Sequence, residues 1–145
     1  APDYATMAMN IGETKNSGVE ATFRTNWLGY SIKLSAVQQD PWSVSDNEPL
    51  ARRARHHGAA DVSRNVSGYE VGANLYAAGE RKDSHYNSYT LPGYSLWSFY
   101  MSRKIAQDWT ARVKLENAFN KQYQLAYGYN TPGRGLYATL QYSPK

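Results

Sequence analysis

The sequence predicts an all-β protein in which about eight antiparallel strands follow one another up and down as transmembrane strands of a β-barrel. Apolar and polar residues alternate along most segments, and successive side chains of a strand face opposite sides of its sheet. The connections between these segments alternate between short and long, as they do in outer-membrane barrels. The 145-residue chain has a mean hydropathy of −0.69 and no run of about 18 apolar residues, which excludes a transmembrane helix.

The first half of the chain is predicted to form five strands: residues 4–10, 19–25, 30–36, 53–66 and 69–77. The first of these alternates only weakly. The second and third alternate clearly, and a tight turn at Trp27-Leu28-Gly29 joins them as a hairpin. A dense cluster of turn-forming residues predicts a long loop over residues 38–50. The fourth strand begins with several charged residues and is the least regular, and a short turn at Ser67-Gly68 leads into the well-alternating fifth.

The second half is predicted to form three strands: residues 94–103, 109–116 and 136–142. Charged residues and tyrosines predict a long loop over residues 79–93 before the first of them. That first strand has aromatic residues on both faces, so the pattern does not choose its membrane side. A short turn around Ile105-Ala106-Gln107-Asp108 precedes the next strand, which, like the last, has one apolar and one polar face. Residues 117–133 form the third long loop.

The order of short and long connections also predicts an orientation. In an up-and-down arrangement every second connection lies at the same end of the strands. The short turns therefore share one end and the long loops share the other. Because outer-membrane barrels have short periplasmic turns and longer extracellular loops, the long loops are expected to face outside, with Tyr142 at the periplasmic end.

Composition limits the chemistry that the chain can perform. The aromatic residues, Tyr 13, Trp 4 and Phe 3, are typical of a membrane interface but equally of a soluble β-sandwich. The absence of cysteine excludes a disulfide, a thiolate nucleophile and a Cys-based metal site. The net charge of +4 is modest and spread among the strands, which gives only weak support for an anionic partner.

The polar residues do not form the pattern of a catalytic, metal or cofactor site. His56 and His57 face opposite sides of a strand and cannot easily bind one ion together. No Gly-x-Ser-x-Gly elbow is present, and the glycines of residues 128–135 precede a strand instead of the helix that a phosphate-binding loop needs. The sequence therefore predicts neither an enzyme nor a cofactor.

A group of arginines invites an interpretation as an anion-binding patch. Charge-assisted hydrogen bonds from such residues suit lipopolysaccharide phosphates. Nucleic acid would need an aromatic stacking platform on the same face, which the sequence lacks, so no nucleic-acid partner is expected. The arginines of this group are Arg52, Arg53 and Arg55.

The last third of the chain carries several short motifs in a fixed order. An Asn-x-Phe-x-x-x-Tyr element formed by Asn117, Phe119 and Tyr123 precedes Gly128-Tyr129, and Gly133-Arg134 leads into the final strand. This order resembles the C-terminal end of a TonB-dependent outer-membrane receptor, most similar to the cobalamin transporter branch. Three upstream segments resemble the same family: Gly18-Val19-Glu20-Ala21-Thr22, Pro49-Leu50 with Arg52-Arg53-Ala54, and Ser95-Leu96-Trp97.

The resemblance implies that residues 1–145 are the C-terminal part of a larger receptor barrel in the bacterial outer membrane. It also implies import of a metal chelate, a siderophore or a cobalamin-like corrinoid, with energy from the TonB complex acting through a plug domain absent here. Outer-membrane lipid and lipopolysaccharide would surround the strands. Pro144 stands where the family has a terminal aromatic residue, and it removes a backbone donor. Ligand contact is expected at four tyrosines of the external loops: Tyr86, Tyr89, Tyr127 and Tyr129.

Two other classes of protein fit the same pattern. Eight strands are enough to close a small barrel filled by side chains, which would be a self-contained membrane protein of structural or adhesion type. The third class is a soluble β-sandwich or lipocalin-like binder. The soluble class predicts solubility without detergent and the small barrel predicts a monomer in detergent. A receptor segment should fail to fold alone because its edge strands lack partners.

Overall fold

The computed structural model describes residues 12–86 and 88–144, and these residues form strands, turns and loops. Within them no helix is long and apolar enough to cross a membrane. The strand predicted at residues 4–10 lies outside the described residues. The strands are β1 (Thr14–Trp27), β2 (Tyr30–Ser43), β3 (Glu48–Pro49), β4 (His56–Val66), β5 (Tyr69–Ala78), β6 (Arg81–Lys82), β7 (Thr90–Leu91), β8 (Tyr94–Ala106), β9 (Trp109–Glu116) and β10 (Gly135–Tyr142).

Seven long strands form one antiparallel sheet in the order β1-β2-β4-β5-β8-β9-β10, so each long strand pairs with the next one along the chain. The short β3 adds to the outer end of β2, and β6 pairs with β7 inside a loop. The predicted all-β, up-and-down architecture is confirmed. Among the described residues β1 and β10 each pair on one side only, so the sheet is open at two edges.

The pairing register places apolar side chains in continuous rows across the sheet. The face that carries these rows, here the apolar face, includes the paired residues Phe23, Leu34, Ala60, Leu75 and Trp97. The neighbouring residue on each strand points to the opposite, polar face. That face carries the row Arg24, Lys33, Asp61, Asn74 and Ser98. Side chains of the apolar face stay exposed, for example 57% for Phe23 and 42% for Phe99. Such an extended apolar surface requires an apolar medium or partner.

The register resolves the strand whose pattern was ambiguous. In β8, Trp97 pairs with Leu75 and Phe99 pairs with Ala73, so both belong to the apolar face. Tyr100 pairs with Gly72 and lies on the polar face. The aromatic residues on the two sides of β8 therefore have different surroundings.

The predicted boundaries at the outer end of the first hairpin are wrong. β1 and β2 continue outward to Thr14 and Ser43, so residues 38–43 belong to a strand instead of the predicted loop. The turn-forming Pro41 is tolerated because its carbonyl accepts from Leu50 N, which shows that its backbone faces away from β1. The next strand starts at His56, and the arginines predicted at its beginning lie in the loop.

The alternation of connection lengths is confirmed. Turns of two residues at 28–29, 67–68 and 107–108 lie at one end of the sheet, and the long connections 44–55, 79–93 and 117–134 lie at the other. Both residues of the Ser67-Gly68 turn have positive φ, 51° and 81°. This conformation matches the twist of the flanking strands.

Candidate functional site

The three long loops are joined to one another by hydrogen bonds at their end of the sheet. Arg52 N donates to Lys82 O at 2.7 Å, and the Arg52 guanidinium contacts the Asp83 carboxylate at 3.3 Å. The same carboxylate accepts from Tyr127 N at 2.9 Å. Asp83 is only 4% exposed, and its bonds to Arg52 and Tyr127 connect all three loops.

A second group of charges lies beside this junction. The two carboxylate oxygens of Glu48 contact Lys82 Nζ and His85 Nδ1. These hydrogen bonds, first that of Lys82 and then that of His85, hold the pKa of Glu48 below its ordinary value. The group ties the loop after β2 to the loop after β5.

Below the loops, an arginine and three tyrosines form a stack at the upper end of the polar face. The Arg81 guanidinium lies 5.0 Å from the centre of the Tyr94 ring and donates to Gln124 O at 2.8 Å. Tyr94 stacks on Tyr123 with centroids 4.4 Å apart, and Tyr76 approaches Tyr94 at 6.0 Å. Arg81 is buried, and its guanidinium pairs with the Tyr94 ring face and the Gln124 carbonyl. The stack offers a cation and aromatic surface in one place.

This stack borders a cavity of about 710 Å³ on the polar face. Tyr100 donates to Asp61 at 3.3 Å, and Asn74 contacts the same carboxylate. Tyr100 fits there because Gly72 leaves room, since a Cβ on Gly72 would lie 2.4 Å from the tyrosine ring. Most residues that line the cavity itself are polar, among them Asp61, Asn74, Lys33, Ser98, Lys114, Glu116 and Tyr137.

The structure brings together only two of the four tyrosines predicted as ligand contacts. Tyr89 and Tyr127 stack with centroids 4.0 Å apart and planes within 9°. Tyr86 is 99% exposed and Tyr129 is 73% exposed, and neither joins this pair. A ligand role for these four residues stays a prediction.

The Asn-x-Phe-x-x-x-Tyr element fixes the start of the last loop. Asn117 is buried with φ of 46°, its Oδ1 accepts from Lys121 N at 2.8 Å, and its Nδ2 donates to Lys121 O at 3.0 Å. Phe119 contacts Trp97 and Phe99 edge-on and so extends the apolar face. Tyr123 points the other way, into the stack with Tyr94. The element therefore directs one aromatic residue to each face.

The later glycines of the motif shape the return of the same loop. Gly128 has φ of 80° and serves a turn. Asn120 Oδ1 accepts from Arg134 N at 3.0 Å and lies 2.7 Å from where a Cβ of Gly133 would stand. These motif residues organise the loop through their own hydrogen bonds.

The residues that join the loops were missed by sequence reasoning. Arg81 and Asp83 lie in a run of charges that predicted only a long loop. A usable signal was present in the alternation of that run: Arg81 and Asp83 turn inward, whereas Lys82 between them contacts Glu48. Within residues 12–86 and 88–144, no three His, Asp or Glu side chains are grouped so that they could hold one metal ion.

Residues 1–118 match the family model described as TonB dependent receptor-like, beta-barrel. The chain is similar to the ferric enterobactin receptor PfeA from Pseudomonas aeruginosa, with a TM-score of 0.76 at 15% identity over 92% of this chain and 23% of that chain. The siderophore receptor PiuA from Acinetobacter baumannii gives 0.73 at 13% identity over 92% and 22%. The copper transporter OprC gives 0.76 at 14% identity over 90% and 23%.

These similarities show the fold. The chain spans less than a quarter of the length of each of these solved structures.

Proposed function

The chain belongs to the TonB-dependent receptor-like β-barrel family, and on this premise we propose that residues 1–145 form wall strands and three external loops of a bacterial outer-membrane receptor. The receptor imports a metal chelate, with energy from the TonB complex transmitted through a plug domain. The transport itself makes and breaks no bond. The names of several similar structures, among them siderophore receptors and a copper transporter, support a metal-containing substrate.

The observation that carries the proposal is the separation of the two faces of the sheet. The apolar face exposes Phe23, Trp97 and Phe99 in rows that cross the strands, whereas the polar face lines a cavity with Asp61 and Asn74. A wall between lipid and an aqueous interior has this division, because each strand alternates between the two media. The long loops then face the outside and the two-residue turns face the periplasm.

Chelate capture is assigned to the loops and to the stack beneath them. Arg81 supplies a positive charge, and Tyr94 and Tyr123 supply ring faces beside it. This combination suits a chelate that carries negative charge and flat groups, because a guanidinium pairs with anionic oxygens and aromatic rings stack. A siderophore fits this description better than a cobalamin-like corrinoid, which presents less negative charge. The stacked rings of Tyr89 and Tyr127 offer a further aromatic surface among the long loops.

The proposed route follows the geometry of the wall. A chelate first contacts the joined loops, next the stack of Arg81 and the tyrosines, and then the polar face lined by Asp61, Lys114 and Glu116. The hydrogen-bonding groups of that face replace water around the chelate as it passes. The energy-driven movement of the plug opens the route.

The proposal is tested by uptake of a radiolabelled ferric siderophore into cells that depend on the full-length protein. Arg81→Gln should weaken chelate binding by about tenfold to a hundredfold, since a hydrogen bond to a charged group contributes about 1.5–3 kcal/mol. Arg53→Gln, a loop arginine outside the stack, is the matched control and should bind normally. If the protein imports no metal chelate of any class and dissolves as a monomer without detergent, the proposal is wrong.

A further inference from the structure

The short-turn end of the apolar face carries a repeated arrangement of aromatic residues. The first residue after each two-residue turn is aromatic and lies on the apolar face: Tyr30, Tyr69 and Trp109. Trp27 and Tyr142 lie at the same level on neighbouring strands. Rings with polar edges prefer the boundary between hydrocarbon and water. This row therefore marks the depth at which the membrane ends.

In two of the three repeats the aromatic ring is paired with an arginine of the adjacent strand. Arg64 lies opposite Tyr30, with its guanidinium 5.0 Å from the ring centre and Nη1 3.4 Å from the hydroxyl. Arg103 lies 4.6 Å from the centre of the Tyr69 ring and donates from Nη1 to its hydroxyl at 2.6 Å. The third repeat pairs Trp109 with Tyr142 at 4.8 Å and has no arginine.

These two arginines carry positive charge beside apolar side chains of the same face, such as Ile32 and Met101. In the described part of the chain neither Arg64 nor Arg103 lies within ion-pair distance of a carboxylate. A cation near hydrocarbon is costly unless an anion meets it. The tyrosine hydroxyl uses one N–H of Arg103, and the remaining donors of the guanidinium fork match the oxygens of a phosphate.

A groove of about 420 Å³ extends from Arg103 along the apolar face. It is lined by Tyr69 and by the apolar residues Met101, Ile105, Ala111 and Val113. The pairing of β8 with β9 is irregular between Lys104 and Ala106, beside this groove. The Arg103 guanidinium and the apolar groove thus lie next to each other, and together they complement a phosphate joined to an acyl chain.

We propose that Arg103, Tyr69 and the adjoining groove bind one phospholipid of the periplasmic leaflet, with its phosphate on the guanidinium and an acyl chain in the groove, and that Arg64 with Tyr30 binds the phosphate of a second. The proposal rests on the membrane placement proposed above. It assigns to the inner rim of this wall a lipid site separate from the chelate route, which follows the opposite face.

The test uses the full-length protein in micelles doped with phosphatidylglycerol and counts the lipids that stay bound in native mass spectrometry. Relative to the wild type, Arg103→Gln and Arg64→Gln should each retain one lipid fewer, and the double variant two fewer. Arg112→Gln is the matched control, because Arg112 also lies over a tyrosine ring, at 4.4 Å from the centre of Tyr100, but on the polar face. This control should retain both lipids.

Two further measurements keep the test decisive. Arg103→Lys preserves the charge with fewer directed donors and should retain more phosphatidylglycerol than the double variant but less than the wild type. It replaces Arg103→Gln in the test if that variant does not fold. Diacylglycerol with the same acyl chains should be lost from all forms. Equal retention of phosphatidylglycerol by the wild type and the double variant would overturn the site, as would retention of diacylglycerol equal to that of phosphatidylglycerol. Retention of lipid A in place of phosphatidylglycerol would overturn the assignment to the periplasmic leaflet. Failure of the receptor proposal would appear separately, as absent chelate uptake with lipid retention intact.

Discussion

At the scale of single residues, Glu48 makes the joined loops sensitive to acid. Its pKa lies below the ordinary value of 4.5 because Lys82 and His85 donate to the carboxylate. A group whose pKa is lowered by folding stabilises the folded form above its ordinary pKa, and this stabilisation is lost as the pH falls through the lowered value. We therefore expect the loops to be held together at neutral pH and to loosen as the pH falls below 4.5 and through the lowered pKa of Glu48.

Amide hydrogen exchange in residues 79–93, corrected for intrinsic rates, measures this effect. Glu48→Gln should exchange faster at neutral pH and lose most of the change with pH. Glu80→Gln, an exposed glutamate of the same loop, serves as the control and should behave as the wild type. Unchanged protection in Glu48→Gln at neutral pH would show that the backbone bonds of Arg52 and Asp83 hold the loops without this group.

At the scale of one strand, β8 separates two environments by a single position. Phe99→Arg places a charge in the middle of the apolar face and should lower the free energy of unfolding by about 2–4 kcal/mol, the cost measured for cations near the centre of barrel walls. Ser98→Arg, the adjacent position on the polar face, should change it by less than about 1 kcal/mol. Chemical unfolding of the full-length protein in lipid vesicles gives both values. Equal losses in the two variants would contradict the assignment of the faces.

The elements that sequence reasoning predicted are those fixed by local periodicity. Alternation gave the faces of β9 and β10, and tight turns at Leu28-Gly29 and Ser67-Gly68 gave the hairpins. The end of β2 was placed too early because Pro41 was interpreted as a turn former. The sequence does not show whether a proline in a strand faces a paired or an unpaired side. The ambiguity of β8 ended only with the register, since aromatic residues occupy both of its sides. Contacts between loops, such as that of Asp83 with Tyr127, follow no periodic pattern in the sequence. They are seen only in the folded chain, where residues far apart in sequence meet.

At the scale of the molecule, the open edges of the sheet determine how the 145 residues should behave alone. Among the described residues, β1 and β10 leave their outer backbone groups without a strand partner. Unpaired edges in an apolar medium are costly and invite association. We expect the isolated chain to aggregate in buffer and in micelles, as judged by size analysis with circular dichroism. A β-rich monomer in micelles would instead support a closed small barrel, and one in plain buffer would exclude the membrane interpretation.

The bonds between the loops have a consequence for engineering. Asp83 holds Arg52 on one side and the backbone of Tyr127 on the other, and Arg81 reaches Gln124. Each loop is thus shaped by residues that belong to another. A designer who transplants one of them onto a different barrel would transfer a sequence without its support. The transferable unit is the set of three loops, exchanged together with the strand ends that space them.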